Sequence, residues 1–136
     1  MKRSMGCSMV TVLALAVTWL LVSCAGSVQA QSGSIWYVPT QGGEALYKEI
    51  CQACHMPDAK GASGAGAYPS LAANPKLASK AYPVLVVVNG LKAMPSFGDP
   101  LSDQQIADVV NYTRSHFGNR YIDAVTPDEV KALRLK

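Results

Sequence analysis

Cys51-Gln52-Ala53-Cys54-His55 constrains this chain more than any other stretch. Two thiols separated by two residues, with a histidine directly after, have the spacing of covalent haem attachment. The chemistry accounts for the spacing. Each thiol can add across one vinyl group of the macrocycle, and the adjoining imidazole then lies under the iron as its proximal ligand. A small fold carrying this pentapeptide can use the ring as the centre of its core.

Rival readings of the two thiols are weaker. A redox C-x-x-C of the thioredoxin kind wants a βαβ pattern around it, and none is visible. A zinc site needs two further ligands at short spacing. The other histidine, His116, is remote, and the other cysteines, Cys7 and Cys24, fall in a targeting segment. A disulfide between Cys51 and Cys54 would close a very small, strained loop.

The chain has 136 residues, which suits one domain. Residues 1–30 read as an export signal: Lys2 and Arg3, an apolar run from Met9 to Val22, and Val28-Gln29-Ala30 as a small-residue cleavage site. The run is shorter than the ~20 residues of a membrane-spanning helix. A second reading stays open. Leu21-Val22-Ser23-Cys24 resembles a bacterial lipobox, which would make residues 1–23 a lipoprotein signal and tether Cys24 to a membrane leaflet. Cleavage after Ala30 leaves residues 31–136 as the domain, with Cys51 and Cys54 as its thiols. Both are consumed by haem, which suits an oxidising compartment.

Charge excludes one class of partner. The formal net charge of +3 falls by two once Lys2 and Arg3 are removed, and no basic stripe of the kind nucleic acid requires is present. Lys76, Lys80 and Lys92 rim one candidate docking face, although scattered lysines ordinarily mark solvated surface.

Local signals order the rest of the domain. Residues 31–41 are irregular. Glu44 to Ile50 reads as a short helix leading into the haem motif, with Leu46, Tyr47 and Ile50 on one face. Gly- and Pro-rich residues 56–71 read as loop, and residues 76–80 as a weak helix. Residues 82–90 are ambiguous. The valine run favours a buried strand, whereas Pro83 near a start and Asn89-Gly90 at a stop favour a helix. A second loop holds Met94, Pro95 and Phe97. Ser102 and Gln105 form a capping box that opens the clearest helix, with Gly118 placed to end it. Thr126-Pro127 starts a last short helix through about Arg134, expected on the outside.

The sixth iron position decides what such a protein can do. Met56 adjoins His55 and cannot reach the opposite face of the ring. Met94 lies in a later loop and can, so it is the candidate distal ligand, with His116 as the competitor. Filling both axial sites leaves no place for a substrate or a gas and makes an electron carrier rather than an enzyme. The rival class is a haem enzyme or gas sensor with an open or displaceable sixth ligand.

Further motifs carry a family likeness. Gly43-x-x-x-Tyr47 ahead of Cys51, Val109-x-x-Tyr112, Tyr68-Pro69-Ser70-Leu71 and the Met94-Pro95 loop together resemble a class I cytochrome c. The resemblance implies an all-α fold: three core helices and a short C-terminal helix around one covalently bound haem c. It implies that residues 84–88 are helical. It also implies that Gly43 permits a close helix crossing, that the Pro69 carbonyl accepts from His55 Nδ1, and that Leu71 packs on the haem. The stretch from Met94 through Gly118-Asn119 is similar to cytochrome c subunits of bacterial periplasmic dehydrogenases. That likeness implies an iron-containing electron-transfer protein of the periplasm, taking electrons from a dehydrogenase and passing them toward a terminal oxidase. Membrane attachment would come only through Cys24 or a membrane-bound partner.

Overall fold

The computed structural model describes residues 38–64 and 66–134. The signal reading of residues 1–30, with Cys7 and Cys24, and the loop expected over residues 31–37 lie outside the described residues.

The first helical run spans residues 43–55 without a break. It comprises α1 (Gly43–Leu46), a π-helical turn (Tyr47–Cys51) and α2 (Gln52–His55). Glu44 sits in the first turn, where the helix dipole favours an anion, and pairs with Lys48 one turn on at 2.6 Å. A two-residue antiparallel ladder, β1 (Ala62–Ser63) and β2 (Ala67–Tyr68), interrupts the loop that follows. A 3-10 turn (Pro75–Ala78) then leads to α3 (Ala81–Asn89), α4 (Asp103–Ser115) and α5 (Pro127–Arg134). Helix dominates and strand is slight, as the all-α expectation required.

The valine run is helix. Pro83 lies in the first turn of α3, where a missing N–H leaves no bond unmade. Gly90, with φ +74°, ends it, its amide donating to Val86 O at 2.9 Å. Burial of Pro83, Val84 and Val88 overrides the β propensity of the branched side chains.

The capping box of α4 forms in full: Gln105 N donates to Ser102 Oγ at 3.2 Å, and Ser102 N donates to Gln105 Oε1 at 2.8 Å. Gln105 Nε2 also donates to Val38 O and Thr40 O, which holds the described N-terminal segment against α4. The helix ends at Ser115, three residues before the glycine expected to stop it. His116 leaves in extended geometry, and Phe117 and Gly118 both turn with positive φ. The Asn119 side chain reaches back to donate to Thr113 O at 2.8 Å, satisfying a last-turn carbonyl that a glycine cap would otherwise serve.

The core lies where α1 crosses α4 and where α3 and α5 pack on α4. Leu46, Val84, Ile106, Val110 and Val130 are fully buried there. Gly43 makes the crossing close: a Cβ at this position would stand 2.2 Å from Asp108 O and 2.7 Å from Tyr112 Cβ. α5 was expected to lie outside the core, yet Val130 is wholly buried. Its apolar face explains this, since an amphipathic helix is stable only when that face is covered.

Candidate haem site

Cys51, Cys54 and His55 fall within about one turn at the end of the first helical run. Cys51 is half-buried and Cys54 exposed, and both are free thiols. Burial first, and the neighbouring Cys54 second, push the Cys51 thiol up to about 11, so it is protonated at neutral pH. The π-helical turn ends at Cys51. Such turns insert one residue into the helical repeat and commonly mark functional positions.

His55 is buried, and its Nδ1 lies 3.0 Å from the carbonyl oxygen of Pro69. A carbonyl can only accept, so Nδ1 carries the proton and Nε2 keeps its lone pair for a metal. A bond of this kind fixes both ring orientation and tautomer of a ligating histidine. The sequence expectation for Pro69 therefore has its geometric counterpart.

The Pro69 carbonyl is held by a network of its own. Ala59, wholly buried with φ +58°, accepts from Leu71 N at 2.8 Å and Ala72 N at 2.9 Å through its carbonyl. Gly61 N donates back to His55 O at 3.1 Å. Asn119, buried on the far side, donates to Leu71 O at 2.8 Å and accepts from Asn74 N at 2.9 Å. Tyr47 Oη donates to Met56 O at 2.7 Å, tying down the residue after the histidine, which has φ +66°. Burial and the adjacent Cys51, Asp58 and Tyr112 raise the Tyr47 phenol to about 12, so it remains a donor.

Met94 is carried separately. It pairs with Leu91 in a tight hairpin, through Leu91 N to Met94 O and Met94 N to Leu91 O, both 3.0 Å. Lys92 takes the left-handed turn position, with φ +55°. The chain after Met94 is stitched to the end of α3: Ser96 Oγ donates to Val88 O at 2.5 Å, and Phe97 N donates to Val87 O at 2.8 Å. The Met94 side chain is half-buried. Leu71, Val87 and Phe97 are likewise only half-covered while packing on the core. Each thus keeps part of its apolar surface uncovered.

His116, the competing ligand, is exposed. Its ring stacks on Tyr112 at 4.2 Å between centroids, and Nδ1 lies 3.0 Å from Tyr112 O. Of the three lysines, Lys80 is spent on Glu129 at 2.8 Å and Lys76 stands 5.9 Å over the Tyr82 ring, while Lys92 is exposed at the hairpin tip. No group of three or more His, Cys, Asp or Glu side chains gathers among the described residues, so the zinc reading finds no ligand set there.

Sequence reasoning passed over Ala59 and Arg114 and met Asn119 only in the family likeness. Arg114 is 1% exposed; it donates to Leu77 O at 2.9 Å and to the Asp123 carboxylate at 2.7 Å. The donor set, a histidine with Nε2 free, one uncrosslinked thiol beside it and another a turn earlier, fits haem c. A haem supplies one-electron chemistry at its iron when bound. With haem in place, Cys51 and Cys54 would supply the thioether sulfurs, and the Pro69 carbonyl would hold the His55 ring.

These features define a c-type cytochrome domain. The comparison with known families agrees: residues 39–112 match the model described as cytochrome C oxidase, cbb3-type, subunit III, and the chain belongs to that family. Its haem c is covalently bound, and Cys51 and Cys54 fit the attachment motif. Among relatives, the fructose dehydrogenase cytochrome subunit of Gluconobacter japonicus is 39% identical over 110 residues, covering 70% of this chain and 22% of that protein. The gluconate 2-dehydrogenase cytochrome c subunit of Pantoea cypripedii is 36% identical, covering 70% and 24%. The alcohol dehydrogenase (quinone) cytochrome c subunit of Gluconacetobacter polyoxogenes is also 36% identical, covering 76% and 24%. The chain thus spans less than a quarter of the length of these relatives.

Proposed function

We propose that this chain is an exported one-electron carrier whose single haem iron is ligated by His55 and Met94. Residues 1–30 serve as the export signal, or residues 1–23 as a lipoprotein signal with Cys24 lipidated, and residues 31–136 form the haem domain. It works in the periplasm, taking electrons from a dehydrogenase and releasing them toward a terminal oxidase. The dehydrogenase donor is suggested by the names of the relatives.

The observation that carries the reading is the bond from His55 Nδ1 to Pro69 O at 3.0 Å. It presets the imidazole as a metal ligand rather than as an acid or base. Met94 adds the second ligand by its place in a hairpin anchored to α3, and Leu71 contributes apolar cover. With both axial positions filled, no coordination site is left for substrate.

An absorption spectrum of the oxidised holoprotein tests the ligand pair. A weak band near ~700 nm is the expected mark of methionine sulfur on ferric iron. Met94→Ala should abolish that band and lower the reduction potential by on the order of 100 mV, within the ~0.8 V over which axial ligands act. An unchanged spectrum and potential in the variant would remove Met94 from the site. Ready carbon monoxide binding by the reduced wild type would favour an open-site enzyme or gas sensor instead.

A further inference from the structure

We infer that Arg134, at the end of α5, is a positioning residue for the segment that carries Met94. The inference rests on the His55/Met94 ligation proposed above and goes beyond it, because Arg134 lies outside the residues matched by the family model.

A guanidinium offers five N–H donors in a rigid fork. Here the fork spans one bend of chain. Nη1 donates to Gly98 O, Nη2 to Leu101 O at 2.6 Å, and Nε to the Asp103 carboxylate. The side chain is 23% exposed, so the pairing is partly shielded from water. Charge-assisted bonds of this kind are shorter and stronger than neutral ones.

Position gives the clamp its effect. Upstream of the bend, the Met94 segment hydrogen-bonds to the end of α3, through Ser96 Oγ, Phe97 N and Gly98 N to the carbonyls of Val87 and Val88, and Phe97 packs on the core. Gly98 is the pinch point. A Cβ there would stand 2.8 Å from Val88 O and 3.4 Å from Arg134 Nη1. The segment is therefore held from one side by α3 and from the other by the guanidinium. With Arg134 gone, the carbonyls of Gly98 and Leu101 lose their donors and the bend is free to lift, taking Met94 with it. Residue 134 thus governs a ligand forty positions earlier in the chain.

A merely structural role for Arg134 would be to staple α5 to the body, and Val130, wholly buried on the same helix, already does that. The two roles separate experimentally in the purified holoprotein. One readout is the rate at which added imidazole displaces the sixth ligand of the oxidised form. The other is hydrogen-exchange protection of the Phe97 and Gly98 amides. Arg134→Ala should speed displacement about tenfold or more and strip protection from both amides, consistent with losing charge-assisted bonds. Arg134→Lys, a single donor point on a flexible stem, should fall between, and it carries the comparison if Arg134→Ala does not accumulate. Val130→Ala should lower thermal stability yet leave both readouts within about twofold of wild type. Wild-type behaviour in the Arg134 variants, or equal acceleration in Val130→Ala, overturns the inference while leaving the ligand pair intact. A wild type that lacks the ~700 nm band overturns both.

Discussion

His55 Nδ1 donates to the carbonyl oxygen of Pro69 at 3.0 Å, across a loop that closes on Ala59. The partner is a backbone carbonyl, so its aim depends on the path of the chain rather than on a side chain. That path is set by Ala59 from within and by Asn119 from the end of α4.

Asn119 is the member of this network most open to test. Its amide donates to Leu71 O and Thr113 O, both at 2.8 Å, and its oxygen accepts from Asn74 N at 2.9 Å. Asn119→Ala leaves several shielded groups unpaired, at roughly 1–3 kcal/mol each where fully buried. Chemical denaturation should show a loss of about 3 kcal/mol. Asn119→Asp should recover little, because a carboxylate cannot donate to either carbonyl. A loss under ~1 kcal/mol in the alanine variant would show that the loop holds without it.

Two neighbouring glycines should resist the same change for different reasons. At Gly43 an alanine Cβ meets Asp108 O at 2.2 Å, so α1 and α4 must separate. Gly43→Ala should cost about 3 kcal/mol, the upper end for overpacking. Gly42 has φ +86° and open space around it. Gly42→Ala should cost about 1–3 kcal/mol from backbone strain alone, because a ψ of 140° puts it outside the left-handed region in space open essentially to glycine. Thermal melts check both variants, and a loss under ~1 kcal/mol in Gly43→Ala would contradict the close crossing.

Alkaline pH should expose the buried phenol of Tyr47. Its value is raised from 10.0 to about 12, by burial first and then by Cys51, Asp58 and Tyr112. The fold favours the protonated form, so the unfolded chain ionises first. The stabilisation is complete below about pH 10, falls away above it, and is lost by about pH 12. Conversion of Cys51 to a thioether removes the thiolate contribution and leaves burial as the main cause. Tyr47→Phe should lack this alkaline decline. At pH 7 it should be about 1 kcal/mol less stable, for want of the bond to Met56 O. Parallel stability–pH profiles above pH 10 would show that the phenol is not shielded.

Much of this site was legible in the order of residues. The attachment motif, the capping box of Ser102 and Gln105, and the Met94-Pro95 loop are local patterns, each written in side chains a few positions apart. Gly43 was legible through family likeness. The end of α4 was misplaced because Gly118 looks like a cap, whereas a side chain arriving from Asn119 does that work. Arg114 and Arg134 carry no local signal, since nothing in a sequence shows that an arginine will face carbonyls. Their partners Leu77, Ala78, Gly98 and Leu101 contribute main-chain oxygens that every residue has.

By itself, then, the sequence determined the chemistry: two thiols and an imidazole on one helical turn, with a methionine able to serve from a later loop. Spacing along a helix is a local property, and local geometry follows from residue identity. Tertiary structure alone decided how those groups are held. It made a helix of the valine run, buried Val130, aimed the Pro69 carbonyl at His55 and set Arg134 beside Gly98. Each of these depends on burial and on backbone acceptors brought together from distant positions, and only the packed chain creates them.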